Sequence, residues 1–129
     1  MVKKQKSVSK LKKELDRVYS IYIRNKYADK DGYCTCVTCG VKKHWKELHN
    51  GHFVSRTHNI LRWDDRNCHP QCMGCNVFKK GNMVSYSVFM ERMYGQGIIQ
   101  TLEQEHWKTF PLDTVWLEEQ IEKYKEIIK

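Results

Sequence analysis

The sequence lacks the run of about 18 apolar residues that a membrane-crossing helix needs. It contains only two prolines and seven glycines, which excludes collagen-like and low-complexity chains. Its first ten residues, MVKKQKSVSK, have no apolar segment of the kind that a secretion signal contains. We therefore predict a cytoplasmic protein without a membrane partner, in which cysteines stay reduced and are available to bind metal.

Positive charge is in excess and unevenly distributed. The 129 residues allow one domain and carry 23 Lys and Arg against 15 Asp and Glu, a net charge of +8. Residues 1–92 hold 19 basic and 8 acidic side chains, whereas residues 93–129 hold 4 and 7. A basic body with a mildly acidic tail favours a polyanionic partner such as DNA. The alternative interpretation is charge that serves solubility alone.

Helical patterns flank a central segment of different composition. We predict a basic disordered arm over residues 1–8 and a helix capped by Ser9, from about Lys10 to Tyr27, with an apolar stripe. After the centre, the patterns predict helices over 83–94 and 98–108, and a last helix capped by Asp113 or Thr114. The fold class is therefore α+β, mostly helical.

The central segment favours short strands. Residues 44–48 and 53–55 suit a hairpin, and 67–71 suit a strand that Pro70 restricts to an edge. A short helix over 73–80 follows. The predicted single domain, residues 9–129, thus comprises an N-terminal helix (9–28), a core (33–82) and C-terminal helices (83–129).

Two Cys-x-x-Cys pairs predict a structural zinc site. The ligands would be Cys36 and Cys39 with Cys72 and Cys75, because four thiolates close a tetrahedral site and leave no position for water. The alternatives are a redox dithiol or unrelated free thiols. Cys34 could compete as a ligand, and Cys68 is expected to be a buried thiol.

The residues around these cysteines match a nuclease motif. The pattern Asn67-x4-Cys72-x2-Cys75-Asn76, with His52 upstream, resembles the HNH or ββα-metal nucleases in their His-Asn-Asn form. The zinc pairs, with Asn directly after the last Cys, are similar to those of the phage junction nuclease endonuclease VII. A closer resemblance, over about residues 19–105, is to the phage recombination endonuclease family Rap (NinG). That resemblance rests on these blocks: Tyr22-Ile23-Arg24, Cys36-Val37-Thr38-Cys39-Gly40, Gly51-His52-Phe53, Arg62-Trp63-Asp64, Asn67 to Cys72, Cys75-Asn76 and Gly81-Asn82.

The resemblance implies a metal-dependent endonuclease that cuts branched DNA, such as D-loops and Holliday junctions, during phage recombination. It implies a zinc-stapled ββα-metal core with flanking helices, a structural Zn²⁺ and a catalytic Mg²⁺ or Mn²⁺. A phage-encoded protein would act in the host cytoplasm. Because a junction nuclease cuts two strands symmetrically, we expect a homodimer. The apolar stripes of the first and last helices are the candidate interface, although such stripes also suit packing within the chain.

Roles for single residues follow from the chemistry and the resemblance. A neutral imidazole can activate water at pH 7, which predicts His52 as the general base. The resemblance implies that Asn67 pins the His52 loop and that Asn76 binds the catalytic cation through its amide oxygen. Many HNH enzymes carry Asp or His directly before the base, whereas this chain has Gly51. His49 is the candidate replacement ligand.

Weaker candidates for that ligand are Asn50, Asp64 and Asp65. Basic side chains near the motif predict contacts to DNA phosphates, independent of base sequence. These candidates are Arg56, Arg62, Arg66, Lys79 and Lys80. Two alternatives to a branch-selective nuclease remain: a non-catalytic zinc module that binds DNA, and a general HNH nuclease of restriction or homing type.

Overall fold

The computed structural model describes residues 6–129 and has the predicted α+β class, with more helix than strand. Two antiparallel two-stranded sheets, β1–β2 and β3–β4, lie among five α-helices. None of the described helices is both long and apolar enough to span a bilayer. In chain order the elements are α1 (Val8–Lys26), β1 (Tyr33–Thr35), β2 (Lys42–His44), a 3-10 turn (Trp45–Glu47), β3 (His49–His52), α2 (Asn59–Arg62), β4 (Cys68–Gln71), a π-helical turn (Gly74–Phe78), α3 (Met83–Tyr94), α4 (Ile98–Glu105) and α5 (Thr114–Ile128).

Helix α1 begins at Val8, two residues before its predicted start. Ser7, rather than Ser9, is the cap, because its hydroxyl accepts a hydrogen bond from the Lys10 amide at 3.2 Å. Lys6 forms an ion pair with Glu14 at 3.0 Å. The predicted disordered arm is therefore wrong at residues 6–8, and its residues 1–5 lie outside the described part of the chain.

The apolar stripes of α1 and α5 pack against each other and form the main core. The buried side chains are Leu11, Leu15, Val18, Tyr19, Ile23, Leu117, Ile121 and Tyr124, joined by Cys68 from β4. Asp113 caps α5 by accepting a hydrogen bond from the Trp116 amide, as one of the two predicted caps. The expectation that these stripes hold a dimer together is wrong, because packing within the chain already buries them.

The predicted hairpin over residues 44–48 and 53–55 is also wrong. Residues 45–47 form the 3-10 turn, whose Lys46 amide is capped by the His44 ring. Residues 53–55 form no strand, although the Phe53 amide donates to the Asn67 carbonyl at 2.9 Å. Instead β3 pairs with β4, with His49 opposite Gln71 and His52 opposite Cys68. Pro70 fits there because neither strand of a two-stranded sheet has neighbours on both sides.

The helical turn and α3 place β4 at the centre of the molecule. The predicted helix over 73–80 is present only as the turn Gly74–Phe78, whereas α3 has the predicted bounds. The His69 ring on β4 lies between the Tyr86 hydroxyl, 2.9 Å away, and the Tyr94 hydroxyl, 2.7 Å away. These two contacts hold β4 against α3.

Candidate metal centre and adjacent cleft

Four cysteines converge between the β1–β2 hairpin and the π-helical turn. The sulfurs of Cys36, Cys39, Cys72 and Cys75 all lie within 4.8 Å of one another, and those of Cys39 and Cys72 are 3.7 Å apart. Zinc–sulfur bonds of about 2.3 Å in a tetrahedron place the sulfurs about 3.8 Å apart. The predicted four-cysteine cluster is confirmed, and its donors and spacing fit a structural Zn²⁺.

Backbone geometry prepares the cluster for a cation. Gly40 takes a positive φ of 83° and donates its amide to the Cys36 carbonyl, which closes the turn under the first pair. Burial raises the pKa of the Cys36 thiol, but hydrogen bonds from the Thr38 hydroxyl and from backbone amides outweigh it and hold that pKa at about 6. Cys36 therefore favours the thiolate form that zinc binds.

The other two cysteines are apart from this cluster. Cys68 is fully buried in the α1–α5 core, and burial raises the pKa of its thiol, as expected of a structural cysteine. Cys34 is buried on β1, where burial likewise raises its thiol pKa. Cys34 does not belong to the group of four.

His52 ends β3 with one ring nitrogen engaged and the other unbonded. Nε2 lies 2.8 Å from the Arg62 carbonyl oxygen, which can only accept, so Nε2 carries the proton in the neutral ring. Nδ1 makes no hydrogen bond to any residue in the described range 6–129. Burial lowers the pKa of His52, so the ring is neutral at pH 7 and Nδ1 carries no proton.

Asn67 fixes the segment that follows His52. Its side chain is fully buried, accepts a hydrogen bond from the Val54 amide at 2.7 Å, and donates to the Val54 carbonyl at 2.9 Å and the Leu61 carbonyl at 3.1 Å. The Leu61 contact lies next to Arg62, whose carbonyl orients the His52 ring. Asn67 thus has the contacts that its predicted pinning role requires.

Asn76 and His49 lie side by side and contact each other. The Asn76 amide group contacts His49 Nδ1 at 3.1 Å, and a half-turn of the amide exchanges its nitrogen for its oxygen. Ligand bonds of about 2.1 Å in an octahedron place neighbouring donors about 3 Å apart. In this structure the two side chains form a hydrogen bond with each other. Among residues 6–129, however, the cysteine cluster is the one group of three or more His, Cys, Asp or Glu spaced to hold a metal.

Gly51 leaves no room for the ligand that many HNH enzymes carry there. A β-carbon at Gly51 would collide with the side-chain oxygen of Gln71 and lie 2.6 Å from its Cδ. Gln71 is fully buried and donates its amide to the Gly81 carbonyl at 2.8 Å and to the Thr38 hydroxyl at 3.1 Å. Sequence reasoning missed Gln71, although a glycine inside a strand signals a close neighbour.

Two of the weaker ligand candidates are engaged elsewhere. The Asp64 carboxylate binds Arg66 at 2.7 Å, and the Asp65 carboxylate accepts hydrogen bonds from Tyr19 and Tyr22, both at 2.6 Å. Asn50 differs, because its side-chain oxygen is buried without a hydrogen-bond partner among the residues described. Asn50 also lines the cleft beside His52.

A cleft of about 500 Å³ opens beside His52, with Asn76, Arg56 and Lys80 among the side chains that line it. Lys79 is exposed on the neighbouring turn. Arg62 and Arg66 do not fit the prediction of free phosphate contacts. The Arg62 guanidinium binds Asp16 through two nitrogens, and that of Arg66 binds Asp64 and Glu105. The cleft is thus basic through two of the five predicted residues.

The family model described as Bacteriophage Lambda NinG protein matches residues 1–129, the whole chain. The chain belongs to the NinG family. The protein ninG of Escherichia phage 933W is 31% identical over 97 residues, covering 73% of this chain and 45% of that protein. The ninG protein of Salmonella phage P22 is 30% identical over 97 residues, with 73% and 44% covered.

The ninG protein of Enterobacteria phage H19B is 44% identical over 46 residues, which cover 36% of this chain and 23% of that protein. The chain therefore matches less than half the length of these NinG relatives. No solved structure matches it. The predicted resemblance to the NinG family is confirmed.

Proposed function

We propose that this NinG-family protein is a metal-dependent endonuclease that hydrolyses phosphodiester bonds in branched DNA. The observation that carries the proposal is the His52 ring in a basic cleft, held by the Arg62 carbonyl, with an unprotonated Nδ1 that has no hydrogen-bond partner among residues 6–129. The order of elements supports it, because antiparallel β3 and β4 are followed by the helical turn Gly74–Phe78, where a ββα arrangement would have its helix.

In the proposed reaction His52 Nδ1 takes a proton from a water molecule as its oxygen attacks phosphorus. The bond from phosphorus to the 3′-oxygen breaks, and the leaving oxygen takes a proton from solvent. Arg56 and Lys80, which line the cleft, hold the phosphate. Asn67 keeps the loop, and with it the His52 ring, in place.

Asn76, through its amide oxygen, and His49, through Nδ1, would hold the catalytic cation. A bound Mg²⁺ or Mn²⁺ supplies positive charge that stabilises the crowded phosphate and the leaving oxygen. The 3.1 Å approach of the two side chains supports this assignment. The cysteine cluster has a separate role, because it holds Cys75, the neighbour of Asn76, in a fixed position.

Selectivity for D-loops and Holliday junctions, and a place in phage recombination, are proposed on the resemblance to Rap and endonuclease VII. Two symmetric cuts require a homodimer. Since the α1 and α5 stripes are buried within the chain, its interface must use another surface.

A second candidate is a zinc module that binds DNA without cutting it. The Gly51–Gln71 contact favours this candidate, because it removes the ligand position that many HNH enzymes use.

The deciding experiment incubates zinc-loaded protein with a four-way junction, a D-loop and a linear duplex. Each substrate is tested with Mg²⁺, with Mn²⁺ and with EDTA. We expect metal-dependent cutting of the branched substrates. Binding without cutting of any substrate would favour the zinc module, and equal cutting of linear duplex would remove the branch selectivity.

A further inference from the structure

A second cleft, of about 400 Å³, opens on the other side of His52, between α1 and β3. It shares Asn50, His52 and Arg56 with the cleft described above. Its remaining wall includes Arg24 from α1 and Lys46 from the 3-10 turn. Whatever binds at His52 can therefore extend from one cleft into the other.

Arg24 is an oriented cation without a counter-ion. Its side chain is half-buried, and it donates from Nε to the Ser20 carbonyl at 3.1 Å. Nη1 donates to the carbonyls of Trp45 and Leu48 at 3.2 and 3.3 Å, and the guanidinium lies 5.1 Å from the centre of the Trp45 ring. Within residues 6–129, no carboxylate lies within ion-pair distance of Arg24, and Nη2 has no hydrogen-bond partner.

The other charges in this cleft add to the positive field. Lys46 is exposed, and its Nζ lies 5.8 Å from the centre of the Trp45 ring. The carboxylate that lines the cleft, Asp16, is already neutralised by Arg62 and accepts a further hydrogen bond from Trp63 Nε1 at 2.9 Å. An anion entering the cleft therefore meets cations and no free carboxylate.

The contrast with the paired arginines indicates a ligand. Arg62 and Arg66 are partly buried, as Arg24 is, and both form ion pairs with carboxylates of the chain. A partly buried guanidinium is stabilised by an anionic partner, and Arg24 has none in the described chain. Arg24 also lines a cleft that shares His52 with the proposed phosphodiester-cutting site.

We propose that this second cleft binds the sugar–phosphate backbone of the DNA strand next to the cut phosphate, through Arg24 and Lys46. The inference rests on the proposed function, since it takes His52 as the cutting point. Phosphate contacts of this kind position a strand without reading its sequence.

The test measures binding of a labelled four-way junction by fluorescence anisotropy in EDTA, from 50 to 200 mM salt. The variants are Lys46→Gln, which alters an exposed side chain, and Arg24→Gln. Matched controls are Lys43→Gln and Arg17→Gln, which remove the same charges from exposed positions that do not line the cleft. Melting curves check that each variant folds, and Lys46→Gln keeps the test valid if Arg24→Gln is unstable.

We expect each cleft variant to weaken binding roughly three- to tenfold and to lower the salt slope by about 1, whereas the controls change little. Cleft variants that bind like their controls would overturn the proposal. Binding in EDTA needs no cutting, so a protein that cuts nothing but shows this loss would refute the proposed function alone. Conversely, His52-dependent cutting with unaffected binding in the cleft variants would refute the second cleft alone.

Discussion

The cysteine cluster and the His52 cleft are adjacent, but the cluster is a closed set of sulfur donors and the cleft is open to solvent. Cys75 belongs to the first and the next residue, Asn76, to the second. The cluster brings four cysteine sulfurs together and leaves no position for a substrate. The cleft instead has an open volume and basic walls, and one of its lining residues, Asn76, contacts His49. The difference assigns stability to one region and ligand binding to the other.

Removing zinc should give the largest effect. In Cys72→Ser, or in wild-type protein treated with chelator, we expect loss of bound zinc and of cooperative unfolding, because binding of structural zinc contributes about 10 kcal/mol or more to small domains. Metal analysis and thermal unfolding measure both. The control, Cys68→Ser, should keep one zinc per chain. A Cys72→Ser protein with wild-type stability would break the distinction between the two regions.

Replacing Asn67 tests whether the cleft has its own rigid support. Asn67→Ala removes three buried hydrogen bonds and should cost about 2–4 kcal/mol in the free energy of unfolding. Zinc should stay bound, because Asn67 contacts none of the four cysteines. Asn25→Ala, an exposed control, should change stability by less than about 0.5 kcal/mol. Urea unfolding measures the stability of each variant, and metal analysis measures its zinc content. Loss of zinc from Asn67→Ala would contradict the idea that Asn67 supports the cleft independently of the cysteine cluster.

The close contact between Gly51 and Gln71 can be tested by adding a β-carbon at Gly51. Gly51→Ala should destabilise the protein by about 1–3 kcal/mol through overpacking, whereas Gly97→Ala, where a β-carbon meets nothing within 4 Å, should not. Adding Gln71→Ala should recover part of the loss relative to the summed single effects. Strictly additive stabilities in this double-mutant cycle would show that the two residues do not compete for space.

The smallest expected effect is on the pH profile of cutting. Because burial lowers the pKa of His52, the folded protein keeps this ring neutral below the ordinary value of 6.5. Cleavage at saturating metal should therefore stay level as the pH falls from 8 to 6.5 and decline only below that. A decline with its midpoint at or above 6.5 would contradict His52 as the buried base.

The elements that have a regular spacing pattern in the sequence could be predicted. The bounds of α3, the stripe of α5 and the cysteine pairs follow from spacing that one segment determines alone. The pairing of β3 with β4 did not follow, because it joins residues that are distant along the chain, such as His49 and Gln71. Such long-range contacts leave no periodic signal in the sequence.

The candidate site residues also divide into those that a local motif predicts and those that depend on long-range contacts. His52, Asn67 and Asn76 were found through a motif, and the structure brings the expected side chains near them. Arg62 and Arg66 looked like phosphate contacts because charge alone is visible in a sequence, while their carboxylate partners are distant along the chain. The sequence shows Arg24 only as part of the block Tyr22-Ile23-Arg24, and its lack of a counter-ion among residues 6–129 appears only in three dimensions.

We propose that His52 cuts DNA in a centre distinct from the four-cysteine cluster. The most direct test compares His52→Gln with wild type on a synthetic four-way junction in Mg²⁺ or Mn²⁺, with zinc content and melting temperature measured on the same samples. We predict a loss of cutting of about 100-fold or more, with one zinc per chain and a melting temperature close to wild type. A His52→Gln protein that cuts at the wild-type rate would contradict the claim.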